Sequence, residues 1–455
     1  MSALPSASSS MQPGLTLALI ELLMRPVDER DRVRAMLHVI DWVGCAAAGA
    51  GTPPGQVLNR FAPSLMAGPC KTVCGPSLDA RDAVLIDGAV GNVLEMDDFH
   101  RAAIVHPGPV VVPVAWALGQ QLGASTGVVL DAIVRGFEAM IRIGRCVGPG
   151  HYRHFHNTAT CGVFGAAAAA GSLLGLSADQ LADALGNAGT QASGLWQCRL
   201  EDTMSKQLHN GRAAQSGLLA AQLAPLGFTG AHQILEGSLG FFKALCPDGQ
   251  PDRLLDAPHA DWLIHETSFK PWPACRHTHA VIDCALALRE AVGDPARIRS
   301  IEVRSYRDAV QVCDNLNPKT PVQAKFSLQH ASAVVLLQGL PRLADFEMPA
   351  ADTPAIAALR ARVRLVEDPA LTQAYPARFG AAMRIAMEDG RVIEHAFADA
   401  LGDPERALSR EAIVAKARTL LMHAGRSEDA SDRLINTCLA ASAGSDWRTL
   451  CQTLD

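Results

Sequence analysis

The sequence predicts a mainly α-helical protein, with a large helical part formed by both chain ends and a smaller α+β unit between them. Three observations predict it. Residues 15–268 are Ala-, Leu- and Val-rich segments at helical period, separated by Gly and Pro breaks. Residues 269–401 change character, and apolar positions there alternate with charge as in half-buried strands. Residues 402–455, with "LSREAIVAKARTLL", return to the helical pattern.

Taken in order, residues 1–14 ("MSALPSASSSMQPG") are Ser/Ala-rich without a basic start, which predicts a disordered lead rather than a signal peptide. "LTLALIELLM", interrupted by Glu21, predicts a first helix. "VVVPVAWALGQQL" reads as a helix entered from a proline-stiffened loop. In "TATCGVFGAAAAAGSLLGLSADQLADALGNAGTQASGL" (158–195) the small side chains predict buried, closely crossing helices, and Ser177 with Gln180 suits a capping box. After "SFKPWPACRHTH" one more helix is predicted over about 277–292. Strands follow in "SIEVRSY", where Ile301 and Val303 alternate with charge, then "ARVRLVED" and "AAMRIAMEDGRVIEHAF", the last turning at Asp389-Gly390.

With 455 residues the chain is long enough for two or three domains and a sizeable core. A formal charge of −6 and a pI near 6.2 argue against a nucleic-acid or anionic-membrane partner. No apolar run reaches the roughly 18 residues that span a bilayer. Twelve cysteines without a secretory signal read as reduced thiols in a cytoplasmic protein. Cys70 and Cys74 lack a second pair at zinc spacing, so no metal is expected. Of 40 basic side chains only seven are lysine (71, 206, 243, 270, 319, 325 and 416), which makes each lysine inside a motif informative.

Four segments concentrate ionisable groups beside rigid or apolar chain. "EMDDFHRAAIVHPGP" sets Glu95, Asp97 and Asp98 before His100 and His106, with Pro107 and Pro109 stiffening the backbone; a solvated loop is the competing reading. "HYRHFHNTAT" offers His151, His154 and His156 before a helix N-terminus suited to a carboxylate. "SKQLHNGRAAQSG" places Lys206, His209 and Arg212 at helical spacing ahead of a small, apolar run. "FKPWPACRHTHAVIDCALAL" brings Lys270, Arg276, His277, His279 and Asp283 to the boundary between the helical and α+β parts, where ligand clefts are common. "AKFSLQHA", with Lys325 and His330, is a weaker fifth. One cationic pocket for a di- or tricarboxylate accounts for all of them. No dinucleotide, Walker A, GxSxG, HExxH or iron–sulfur pattern occurs, so the chemistry is expected to be cofactor-free.

In this order the segments resemble the MmgE/PrpD family, whose activities include 2-methylcitrate dehydration, cis-aconitate decarboxylation and iminodisuccinate epimerisation. "DDFHRAAIVHPGPVVVPVAWAL" is similar to its DDTH…HPS…PAALA segment, and "HNTATCGVFGAAAAAGSLLGL" to its HxTAxxGxFGAAA stretch. "GLLAAQLAPLGFTGAHQILEG" matches its GFTGxxxILEG signature, and "FKPWPACRHTHAVID" its KPYPxCRxxHxxID run. The resemblance implies a large helical domain, a smaller α+β lid, an active site in the cleft between them, and a homodimer. It places functional positions at Asp97, Asp98, His106, His156, Lys206 and Lys270, with Glu95 where relatives often have Asp. Three departures stand out: Phe99 where Thr is common, and His330 and Cys275 where the decarboxylase-like members have Tyr and His.

These readings combine into a mechanism. Lys206, Lys270 and Arg276 are expected to neutralise substrate carboxylates and stabilise an aci-carboxylate. His106 and His156 would move the proton, with Asp97 or Asp98 orienting one of them. Glu95, His100, His209, His277, His279 and His330 complete the expected substrate-binding set. A dehydratase-type lyase is the first expectation. An epimerase of an amino- or imino-dicarboxylate is the second, and a decarboxylase or a catalytically silent member comes after it.

Overall fold

The computed structural model describes residues 14–201 and 203–454, so the expected lead lies outside the described residues except for Gly14. The protein is mainly α-helical. One hydrophobic core gathers residues from Leu19 to Ile264 and again from Ala417 to Leu454, so both chain ends build it. A second core runs from Ala274 to Ala400.

Small side chains set the spacing in the larger core. Helix Asn157–Leu173 lies between helices Thr126–Gly144 and Ser205–Leu223. A Cβ at Gly217 would come within 2.4 Å of the Ala166 Cβ, and one at Gly211 within 2.2 Å of the Leu85 carbonyl oxygen. Gly211 therefore lets helix Ser205–Leu223 press onto helix Ala80–Val90. That contact brings the start of the first helix, with Lys206 and His209, beside the loop leaving the second. The capping box at Ser177 and Gln180 forms as predicted and opens helix Ala178–Gly189. Trp116 packs at an angle between Trp42 and edge-on Trp447, and the Trp447 indole donates to the Trp116 carbonyl (3.2 Å), which sews the C-terminal end onto the N-terminal one.

One ribbon departs from an all-helical reading of residues 15–268. β1 (Ala67–Lys71) and β2 (Ser77–Leu78) pair antiparallel. "AGPCK" has no alternation to reveal it. Side chains hold it in place: Gln120 accepts from the Lys71 amide (2.9 Å) and Trp116 donates to the Lys71 carbonyl (3.1 Å).

The second core is built on a four-stranded sheet: β3 (Ile298–Ser305), β4 (Val363–Glu367), β5 (Ala381–Met387) and β6 (Val392–Phe397), in the order β4-β3-β5-β6. β3 runs parallel to β4 and antiparallel to β5, and Ile301 and Val303 face the core as expected. β5 and β6 form the hairpin expected at Asp389-Gly390, with Gly390 at φ +87°. Helix His279–Val292 begins two residues later than predicted because Arg276–Thr278 first makes a 3-10 turn. Among the described residues no helix is long and apolar enough to cross a membrane.

The chain passes between the two cores near residues 268–276 and 398–406. Buried Asp403 ties the passages together, accepting from Ser268 Oγ (2.6 Å) and the Ala400 amide (3.2 Å) and pairing with Arg276 (2.6 Å).

Candidate active site

The loop that leaves helix Ala80–Val90 and enters helix Gly108–Leu122 carries the acids and His106. Glu95 sits at φ +58°, a left-handed conformation unusual for a side chain of its size. It directs the carboxylate at two ammonium groups: Lys206, which it contacts directly, and Lys270 at 3.3 Å. Burial opposes ionisation of Glu95, but Lys206 and Lys270 bring its pKa down to about 2. Burial likewise opposes the charge on Lys206, and Glu95 and Asp97 more than restore it. Lys270 also lies 3.8 Å from Asp97.

Asp97 and His106 form a dyad. The His106 Nδ1 lies 2.8 Å from Asp97 Oδ2 and 2.8 Å from the Asp98 main-chain carbonyl. Both neighbours only accept, so Nδ1 carries a hydrogen, and in the neutral ring the lone pair lies on Nε2. Asn92 donates to the same Asp97 oxygen (2.6 Å). Despite burial, His106 and Lys270 hold the Asp97 carboxyl well below the usual carboxylate range.

Asp98 faces a different histidine. Its carboxylate meets His38 Nδ1 (2.7 Å) and accepts from the Gly108 amide (2.8 Å) at the start of the next helix. A Cβ at residue 108 would sit 2.8 to 3.0 Å from that carboxylate, so glycine is required there. Burial raises the Asp98 pKa to about 7 and pushes His38 well down, so the His38 ring is neutral near pH 7. Lys416, from helix Arg410–His423, pairs with Asp41 (2.6 Å) and donates to the Met96 carbonyl, so the C-terminal part fastens the loop from beneath.

His156 stands at the N-cap position of helix Asn157–Leu173 without capping it through its side chain, and its Nδ1 lies 3.3 Å from His209 Nδ1. Burial, then Lys206, keeps both histidines below the usual value, so they are neutral near pH 7. The Trp196 ring covers His156 at 4.4 Å.

An aromatic wall closes the other side. Phe99 lies 5.1 Å from the His106 ring and 5.6 Å from Phe379. His277 stacks on Phe379 (5.6 Å) and hydrogen-bonds the Tyr306 hydroxyl (2.6 Å). Burial, with Arg199 and Lys270 nearby, lowers the His277 pKa to about 3, so this ring is neutral. The Asp97–His106, Glu95–lysine, His156–His209 and His277 groups are thus within one electrostatic neighbourhood.

Several expected residues do something else. Arg276 is taken up by Asp403 and the carbonyls of Ala400 and Leu401, and it holds the passage between the cores rather than a substrate carboxylate. His279 bonds the Ala274 carbonyl (3.0 Å) and accepts from Arg276 (3.0 Å), which stiffens the same turn. His100 accepts from the Ala103 amide (3.3 Å) and lies 3.7 Å from Glu266, shaping the 100–105 turn. His330 points at the Asp345 carbonyl (2.8 Å) and Arg360, inside the second core. Of the histidines before helix Asn157–Leu173, His151 is fixed by the Leu245 carbonyl and Thr160, and Arg212 turns outward to Gln215. Asp98 orients His38, not a predicted site histidine. His38, Asn92, Lys416 and Tyr306 went unpredicted. A histidine and an aspartate three apart in the apolar "MLHVIDWV" are the signal that could have found His38 and Asp41.

The profile of the MmgE/PrpD N-terminal domain matches residues 21–254, and that of the MmgE/PrpD C-terminal domain matches residues 272–441. The chain is similar to cis-aconitate decarboxylase of Mus musculus, 27% identical over 409 residues that cover 85% of this chain and 81% of that protein. It is 26% identical to cis-aconitate decarboxylase of Aspergillus terreus over 419 residues, 85% and 84% of the two chains. To 2-methylcitrate dehydratase of Cupriavidus necator it is 29% identical over 234 residues, 49% and 48% of the two.

Proposed function

This chain belongs to the MmgE/PrpD family, and on that premise we propose that it is a cofactor-independent lyase acting at the carbon next to a carboxylate of a small di- or tricarboxylic acid. The observation that carries this reading is the Asp97–His106 dyad set beside Lys270 and the Glu95–Lys206 pair. Asp97 holds the imidazole in the tautomer whose Nε2 can take a proton from carbon. Electron density then moves onto the adjacent carboxylate, and the ammonium groups of Lys206 and Lys270 stabilise the aci-carboxylate. Neutral His156, backed by His209, is the second proton-handling group. In a dehydration the proton taken up by His106 passes to the departing hydroxyl, which neutral His156 can orient by a hydrogen bond, and water and an alkene leave.

Decarboxylation is the second reading, favoured by the extent of the similarity. The two cis-aconitate decarboxylases named above align over about four fifths of their length, whereas the dehydratase of Cupriavidus necator aligns over about half of its own. The epimerase reading shares the first proton abstraction and differs in where the proton returns. The lid, the cleft and the homodimer that the resemblance implies, and the cytoplasmic setting read from the cysteines, belong to the same proposal.

Incubation with candidate polycarboxylates in D2O, followed by proton NMR, separates these outcomes. Alkene formation with loss of water is the expected result. Loss of CO2 selects the decarboxylase, and exchange without elimination selects the epimerase. No exchange with any polycarboxylate, together with a His106→Ala variant that behaves like the wild type, sinks the enzymatic reading.

A further inference from the structure

Lys325 ends the short helix Pro321–Lys325 and is 4% exposed. Its main-chain carbonyl accepts the Cys275 amide (2.9 Å), which ties it to the segment that carries Lys270. The next residue, Phe326, lies with its ring centroid 5.7 Å from the Lys206 ammonium. The Lys325 ammonium is within electrostatic range of those of Lys206 and Lys270.

Its circumstances differ from theirs. Lys206 and Lys270 share Glu95, Lys270 also approaches Asp97, and buried Lys416 has Asp41. Among the described residues no hydrogen bond or ion pair engages the Lys325 ammonium. Exposed Glu347 and buried Glu95 attract it without ion-pair contact, while Lys206 and Lys270 repel it. Burial, the largest influence, lowers its pKa. An ammonium removed from water without a partner destabilises a fold, and buried charges in proteins are otherwise paired. Of the three ammonium groups at this place, Lys206 and Lys270 are in ion-pair contact with a carboxylate, and Lys325, drawn to Glu347 and Glu95 only at a distance, is the one without such a contact.

We propose that Lys325 is a substrate-anchoring residue: it binds a second carboxylate of the di- or tricarboxylate whose reacting end is held by Lys206 and Lys270. The inference rests on the polycarboxylate reading above and adds a discriminating contact to it. Lys325 is flanked by residues of the second core, Ala324 and Leu328, whereas Lys206 stands on a helix of the larger one. A dianion held between Lys325 and Lys206 thus joins the two cores, and a monoanion satisfies one end only. Acids with a second carboxylate are selected for that reason.

The test is titration calorimetry of the full-length protein with succinate and with butyrate, which lacks the second carboxylate. Wild type is expected to prefer succinate at least tenfold. Lys325→Met should remove most of that preference by weakening succinate tenfold or more while leaving butyrate within about twofold. Lys325→Arg should keep part of it. Thermal unfolding supplies a second readout: Lys325→Met should hold or raise Tm, because a buried ammonium without an ion-pair contact is gone. Unchanged succinate preference in Lys325→Met, or a lowered Tm with both acids weakened alike, overturns the anchoring role and leaves the polycarboxylate reading standing. A wild-type protein that binds neither acid overturns both.

Discussion

The two walls around His106 are built on opposite principles. On one, nearly every charged group has a partner: Glu95 serves two lysines, and Asp97 serves His106 and Asn92. On the other, Phe99, His277, Tyr306 and Phe379 pack ring against ring, and its histidine is neutral. Fixed charge stabilises a developing charge without reorganising, whereas an aromatic face contributes shape and excludes water. The difference separates proton transfer and carboxylate stabilisation from selection of the substrate's outline. Variants on the charged wall should therefore damage kcat, and variants on the aromatic wall should chiefly move KM.

The largest effect is expected at the dyad. Asp97→Asn removes the carboxylate that fixes the His106 tautomer and leaves an amide that can donate to Nδ1, which favours the wrong tautomer. A loss in kcat of about 10³-fold is expected from general-base effects of this size, with substrate affinity within a few-fold of wild type. An equal loss in affinity and kcat would mean that Asp97 binds rather than orients, and the division between the walls would need redrawing.

Glu95→Gln comes next and tests whether the charged wall also holds the fold. The variant leaves Lys206 and Lys270 without their shared carboxylate, a loss of about 3 kcal/mol for a broken buried pair. The sign of the pH dependence follows from the Glu95 pKa of about 2 against an ordinary value of 4.5. A depressed carboxyl contributes stability that is fully present above about pH 4.5 and is lost as pH falls toward 2. Denaturation curves between pH 6 and 3 should thus fall less steeply in Glu95→Gln than in wild type. Parallel curves would show that the strained loop, not the charge, keeps Glu95 in place.

Much of this arrangement was legible in the residues, for reasons that also mark where legibility ended. The helical period of residues 15–268 and the alternation around Ile301 reflect burial of one face, which leaves a pattern in sequence. "AGPCK" pairs as a strand through contacts with Gln120 and Trp116 some 45 residues away, and no local pattern records that. Scarce lysine was informative because four of the seven, 206, 270, 325 and 416, lie in ionic contact or electrostatic range of the 95–98 loop. Histidine was not, because an imidazole closes a turn as readily as it meets a ligand. His100 and His279 do the former, and only the fold tells them from His106. Phe99 was visible as a departure. That it belongs to a wall with Tyr306 and Phe379, both beyond residue 300, was not.

The smallest effect is expected from Tyr306→Phe, and it tests the aromatic wall most directly. The Tyr306 hydroxyl meets His277 Nδ1 at 2.6 Å, and both side chains are buried. His277 is neutral at working pH, so this is a hydrogen bond between uncharged groups, and its removal costs about 1 kcal/mol of stability. The ring itself remains stacked on Tyr375 at 4.5 Å, which preserves the outline of the wall. Freed of the hydroxyl, His277 can turn or exchange tautomer, and a substrate contact made through its other nitrogen would lose orientation. KM should rise a few-fold, with kcat within about twofold and no change in the pH profile. A fall in kcat comparable to that of Asp97→Asn would instead place the Tyr306–His277 pair among the proton-transfer groups, because a neutral wall that only shapes the substrate has no route to so large an effect.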